Sequence, residues 1–147
     1  MKTKAANEVT MEFPSRSSNE GFARSAVACF AAQMDPTLNE LEDIKTSVSE
    51  AVTNAIVHAY PESIGKVVIR ARICEGNVLE ITVKDRGRGI TDVEQARRPM
   101  FTTGGEERSG MGFTIMESFM DKLTVKSVPG RGTGVSMKKK LAVRAKR

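Results

Sequence analysis

The sequence predicts a two-layer α/β sandwich, a mostly antiparallel mixed sheet with its helices on one face. Two patterns in its 147 residues carry that expectation. Apolar residues recur at helical spacing in some segments and at every second position in others. The resulting order, β-α-α-β-β-α-β-β, does not alternate strictly, so antiparallel pairing under one layer of helices accounts for it.

Val9 to Phe13 alternates apolar and polar, as a half-buried strand does. Ser17 and Glu20 have the spacing of a capping box and open a first helix. That helix is expected to run to about Gln33, with Phe22, Ala26, Cys29 and Phe30 on its apolar stripe. Asp35-Pro36 breaks it. Thr37 and Glu40 form a second capping box. The next helix carries Leu38, Leu41, Ile44, Val48, Ala51, Val52 and Ala55, and Pro61 stops it. Val67–Cys74 and Val78–Lys84 then read as strands of a hairpin turning at Glu75-Gly76-Asn77. A short helix is expected near 92–97. Residues 101–109 read as a mobile loop containing Gly104 and Gly105, and Gly112–Met120 as a further helix. Leu123–Val128 and Val135–Leu141 close the sheet as an antiparallel pair around Pro129-Gly130.

Residues 1–140 therefore form one domain, followed by a basic tail over 141–147. The net charge of +5 is misleading, because residues 138–147 hold six cations and no acid, leaving −1 on the rest. With aromatics at 5%, neither a nucleic-acid patch nor a base-stacking platform is expected. No apolar run is long enough for a membrane span, and no signal-peptide core follows Met1, which points to a cytoplasmic protein. Cys29 and Cys74 form no metal-binding pattern and are expected as buried thiols.

Four clusters hold candidate chemistry. Glu50 and Asn54, four apart, share one helical face, opposite most of the apolar residues. Taken alone, such a pair reads as a solvated stripe. Asp85 continues the inward parity of Leu79, Ile81 and Val83, and a buried acid needs a donor from protein or ligand. It also suits the turn that Gly87 and Gly89 make, a bend that lets the backbone approach a ligand. Gly110-Met111-Gly112 opens a helix whose first amides can hold phosphate, with Gly104 and Gly105 as candidate lid hinges. Gly130 to Thr133 reads as a hairpin turn before the last strand. There is no Walker A sequence, no protein-kinase HRD or DFG set and no GxGxxG after a strand.

Together, Glu50-xxx-Asn54, Asp85-x-Gly87-x-Gly89, Gly110-x-Gly112 and Gly132-Thr133 resemble, in order and spacing, the four boxes of the gyrase/histidine-kinase/MutL ATPases with the Bergerat fold. The resemblance covers roughly residues 8–140. Within that superfamily, SEAVTNAIVHAY, FTTGGEERSGMGFTIMESFMD and NEGFARSAVACFAAQMDPT resemble the anti-sigma-factor kinases of spore-forming bacteria. The resemblance implies ATP with Mg²⁺, transfer of phosphate to a serine of an anti-anti-sigma protein, ATP-state capture of a sporulation sigma factor, and a homodimer through the first strand and helix. It makes Asn54 the Mg²⁺ ligand, Glu50 the general base and Asp85 the acceptor of the adenine amino group, with Thr133 beside it. Gly110, Met111 and Gly112 match the phosphate contacts. Thr102, Thr103 and Arg108 fall in the ATP lid, with Arg108 toward the γ-phosphate, and Arg24 on the sigma-binding surface. The second glycine box reads GMGF where GLGL is common in the superfamily.

His58 is the only histidine, and it is expected to pack near the helix end rather than accept phosphate. Two other readings stay open: a detached sensor-kinase catalytic domain, and a module in which nucleotide only gates partner binding.

Overall fold

The computed structural model describes residues 5–98 and 112–143. Its sheet is antiparallel throughout and has the strand order β1-β2-β3-β5-β4. The strands are β1 Ala5–Pro14, β2 Lys66–Cys74, β3 Val78–Asp85, β4 Lys122–Val128 and β5 Gly132–Lys140. The helices are α1 Asn19–Ala31, α2 Leu38–Asn54, α3 Val93–Arg97 and α4 Gly112–Phe119.

Period two decides which face is covered. Val67, Ile69, Leu79, Ile81, Val83, Val135 and Met137 share one face and are buried against α1, α2 and α4 in a single core. At ~25 cal/mol per Å² of apolar area, this shared burial is the main stabilising contribution. Leu141, just past the expected domain boundary, belongs to that core. Asn77 fixes it there by accepting the Leu141 N–H and donating to the Leu141 carbonyl.

The Thr37 capping box forms as expected. Its hydroxyl accepts from Glu40 N–H at 3.1 Å, and the Glu40 carboxylate accepts from Thr37 N–H at 2.9 Å. The Ser17 box does not form. Ser18 is the N-cap and makes no side-chain capping bond, and the Glu20 carboxylate is engaged by the Ser49 hydroxyl of α2. The buried stripe of α1 is Ala23, Val27 and Ala31, so the helix is rotated from the expected face. Phe22 is 63% exposed and Cys29 is exposed, which corrects both assignments. Small residues win the inward face because they let α1 lie close to α2 and the sheet. Leu38 is also exposed, standing on the first turn of α2 beyond the core.

α2 does not stop at Asn54. Ala55–Ala59 continue it as a π-helical turn that holds a half-buried His58 and ends at Tyr60. The hairpin turns where expected, with Gly76 and Asn77 both at positive φ. Asp85 closes β3, and Gly132 and Thr133 lie inside β5 rather than before it. The expected 101–109 loop, with its candidate hinges, lies outside the described residues.

Candidate active site

Glu50 and Asn54 are half-buried on consecutive turns of α2, while Val48, Ala51 and Val52 fill the core behind them. Both side chains reach the first residue of α4. A Cβ on Gly112 would stand 3.2 Å from Glu50 Oε2, 3.3 Å from Asn54 Nδ2 and 3.4 Å from Asn54 Oδ1. Neither side chain has a hydrogen-bond partner among the described residues, so a carboxylate and an amide oxygen converge on a gap at a helix start. This is a hard-oxygen environment suited to one protein ligand of Mg²⁺ beside phosphate, and to a base beside a hydroxyl. Among the described residues there is no cluster of three or more acidic, His or Cys side chains.

The π turn that follows Asn54 brings α2 to the Asp85 loop. Ala59 O accepts from Arg88 N–H at 3.0 Å. Gly87 lies directly on Ala59, where any Cβ would overlap the Ala59 carbonyl and side chain. Helix-to-loop packing by itself therefore calls for a glycine here. Gly89, at φ 75°, sits against Val128.

Asp85 pairs with Thr133 across β3 and β5. Its Oδ1 accepts two backbone N–H groups, Gly87 at 2.9 Å and Thr133 at 3.2 Å. Among the described residues, Oδ2 takes none, so it keeps its acceptor capacity for a donor such as an amino group. Burial pushes the Asp85 carboxyl above the usual carboxylate range, partly opposed by the Gly87 and Thr133 amides.

Two supporting residues were missed in the sequence. Ser127 on β4 accepts from Ile90 N–H at 2.7 Å, donates to Gly132 O at 3.0 Å and lies 2.8 Å from the Thr133 hydroxyl. It shares the inward parity of Leu123 and Val125, the same signal that singled out Asp85. Tyr60 donates to Lys66 O at 2.8 Å and accepts from Arg86 N–H at 2.7 Å, tying the end of the π turn to the residue after Asp85. This link spans 26 residues and has no local signature.

Arg24 stands on α1 with its Nη1 3.8 Å from Glu20. The same Glu20 oxygen accepts from Ser49, the neighbour of Glu50. Thr102, Thr103, Arg108, Gly110 and Met111 lie outside the described residues. The structure thus forms two clusters, Glu50, Asn54 and Gly112 where α2 meets α4, and Asp85, Gly87 and Thr133 at the end of β3.

The family described as the histidine kinase-like ATPase domain matches residues 13–139, and the chain belongs to it. Among curated relatives, the anti-sigma F factor of Pasteuria penetrans is 59% identical, covering 92% of this chain and 91% of that protein. That of Caldanaerobacter subterraneus subsp. tengcongensis is 58% identical, covering 90% of this chain and 93% of its own. Within the ATPase family the chain is thus a member of the anti-sigma F factor family. The solved RsbU and RsbW domains of a Mycobacterium tuberculosis protein share the fold, with a TM-score of 0.69 at 17% identity over 92% of this chain and 33% of that one. The histidine kinase domain of Erythrobacter litoralis EL346 does so with a TM-score of 0.57, at 24% identity over 83% of this chain and 61% of that one. No helix among the described residues is long and apolar enough to cross a membrane.

Proposed function

We infer that this chain is a cytoplasmic anti-sigma factor and serine-protein kinase that uses ATP and Mg²⁺. The observation that carries the reading is the meeting of Glu50 and Asn54 at Gly112, with the Asp85 loop packed on the π turn that continues the same helix. In this reading Asp85 Oδ2 accepts from the adenine amino group, and the Thr133 hydroxyl lies beside it. Asn54 gives its side-chain oxygen to Mg²⁺, which supplies charge neutralisation at the phosphates. Gly112 keeps the space between base and phosphate open. Glu50 takes the proton of the substrate serine as the serine oxygen bonds to the γ-phosphorus and the bond to the ADP oxygen breaks. Gly110, Met111, Thr102, Thr103 and Arg108 complete the phosphate end.

The serine belongs to an anti-anti-sigma protein, which phosphorylation inactivates. A sporulation sigma factor is held through Arg24 in the ATP state, away from RNA polymerase. The exposed Phe22 of α1 and the edge position of β1 suit a homodimer through those elements. The test is a pull-down of the sigma factor encoded in the same genome, with ATP–Mg²⁺ and without nucleotide. Retention that depends on ATP supports the reading, and equal retention in both conditions contradicts it.

A further inference from the structure

The outer face of the sheet, away from the helices, is divided by charge. On its β1–β2 side every charged residue is paired. Glu12 meets Lys66 at 3.5 Å, Glu8 meets Arg70 at 2.8 Å and Arg72 at 3.2 Å, and Arg72 meets Glu80 at 3.2 Å. Glu80 also takes Lys138 at 3.5 Å. On the β3–β5–β4 side, Lys84, Lys122 and Lys126 have no acidic partner among the described residues.

Register makes these lysines the walls of a groove. Gly134 and Ser136 of β5 form its floor. Lys84 and Thr82 flank them on β3, and Lys126 and Thr124 on β4, with Lys122 opposite Lys138 at the next step. A Cβ on Gly134 would meet nothing nearer than Lys84 Cγ at 3.7 Å and Lys126 O at 4.0 Å, so the floor dips between two like charges. Lys122 and Lys138 stand directly opposite on β4 and β5, a pair of like charges that oppose one another. The hydroxyls of Thr82, Thr124 and Ser136 make no hydrogen bond to a described residue. The groove therefore offers four unspent cations, Arg131 being the fourth, and three unspent hydroxyls along a shallow track one strand wide.

We propose that this groove docks an extended acidic segment of a protein partner, laid along β5 with carboxylates toward Lys84 on one side and Lys122 and Lys126 on the other. Charge complementarity carries the choice of an acidic occupant. A protein fits better than nucleic acid, because the groove has no aromatic ring on which a base could stack, and Glu80 in its lining is already spent on Arg72 and Lys138. The lining of the groove continues to Asp85 and Thr133, so the docking face adjoins the adenine end of the candidate site.

The test titrates the ¹⁵N-labelled full chain with a short peptide of alternating glutamate and threonine, and measures affinity by anisotropy of the same labelled peptide. The expected result is amide shifts confined to β3, β5 and β4, with affinity falling ~10-fold or more in the combined K84Q, K122Q and K126Q variant and unchanged in K45Q on α2. Three results overturn the proposal: no binding, shifts on another surface, or equal binding by the triple variant. Tighter binding of a single-stranded oligonucleotide of equal charge also overturns it, in favour of nucleic acid.

Discussion

Gly112, the first residue of α4, lies so close to Glu50 of α2 that a Cβ there would stand 3.2 Å from the carboxylate. The same Cβ would stand 3.3 Å from the Asn54 amide. Gly112→Ala therefore places a methyl between the proposed base and the proposed metal ligand. The Glu50 side chain can swing aside, so the fold should lose less than ~1 kcal/mol. Phosphate transfer should fall ~10²-fold, since small displacements of reacting groups are costly. Thermal unfolding and single-turnover transfer on one sample check both halves.

Asp85 is a half-buried acid whose pKa is raised above the ordinary 3.8. The folded state thus favours the protonated form. That contribution is present below the unfolded pKa and is lost as pH rises through the raised value. At neutral pH the ionised group opposes folding, so Asp85→Asn should melt higher than wild type at neutral pH and equal to it in acid. The Asn oxygen can keep the Gly87 and Thr133 amides, which leaves Nδ2 as a donor toward the adenine position. ATP affinity should fall ~10–100-fold, as when donor faces donor. Nucleotide titration together with melting curves across pH tests the pair of effects, and unchanged ATP affinity removes Asp85 from the adenine site.

Tyr60 joins Lys66 O to Arg86 N–H through one hydroxyl. Tyr60→Phe should cost ~1–2 kcal/mol in stability by leaving both groups without that partner. Because the lost link holds the loop after Asp85, KM for ATP should rise while the rate at saturating ATP stays near wild type. A fall in that rate with KM unchanged would mean that Tyr60 acts on the Glu50 end instead.

Glu20 is shared between Arg24 of α1 and Ser49 of α2. Arg24→Glu sets two carboxylates one helical turn apart and reverses the charge offered to a partner. Sigma-factor capture should be lost while phosphate transfer to the anti-anti-sigma protein persists. Pull-down and transfer assays on the same variant decide this, and surviving capture would remove Arg24 from the interface.

What the sequence made legible was mostly local. The Thr37–Glu40 box, the Gly76-Asn77 turn and the inward parity of Asp85 each rest on neighbours within a few residues. The face of α1 was not legible, because hydrophobicity favours Phe22 while close packing selects Ala23, Val27 and Ala31. The Ser17 box did not form either, and its Glu20 is engaged by Ser49, 29 residues away. In the site, Glu50 and Asn54 were found by spacing along one helix. Tyr60 and the π turn escaped because their purpose is a contact with β2 and the Asp85 loop, which no local pattern encodes.

The most direct test of the account is transfer from γ-labelled ATP with Mg²⁺ to the anti-anti-sigma protein, comparing wild type with Glu50→Ala. The account predicts acid-stable label on the substrate with wild type. The variant should still bind ATP but lose at least ~10²-fold in rate, the usual share of a general base. Acid-labile label would identify a histidine-directed kinase. A Glu50→Ala variant as active as wild type would contradict the assignment of Glu50 as the base.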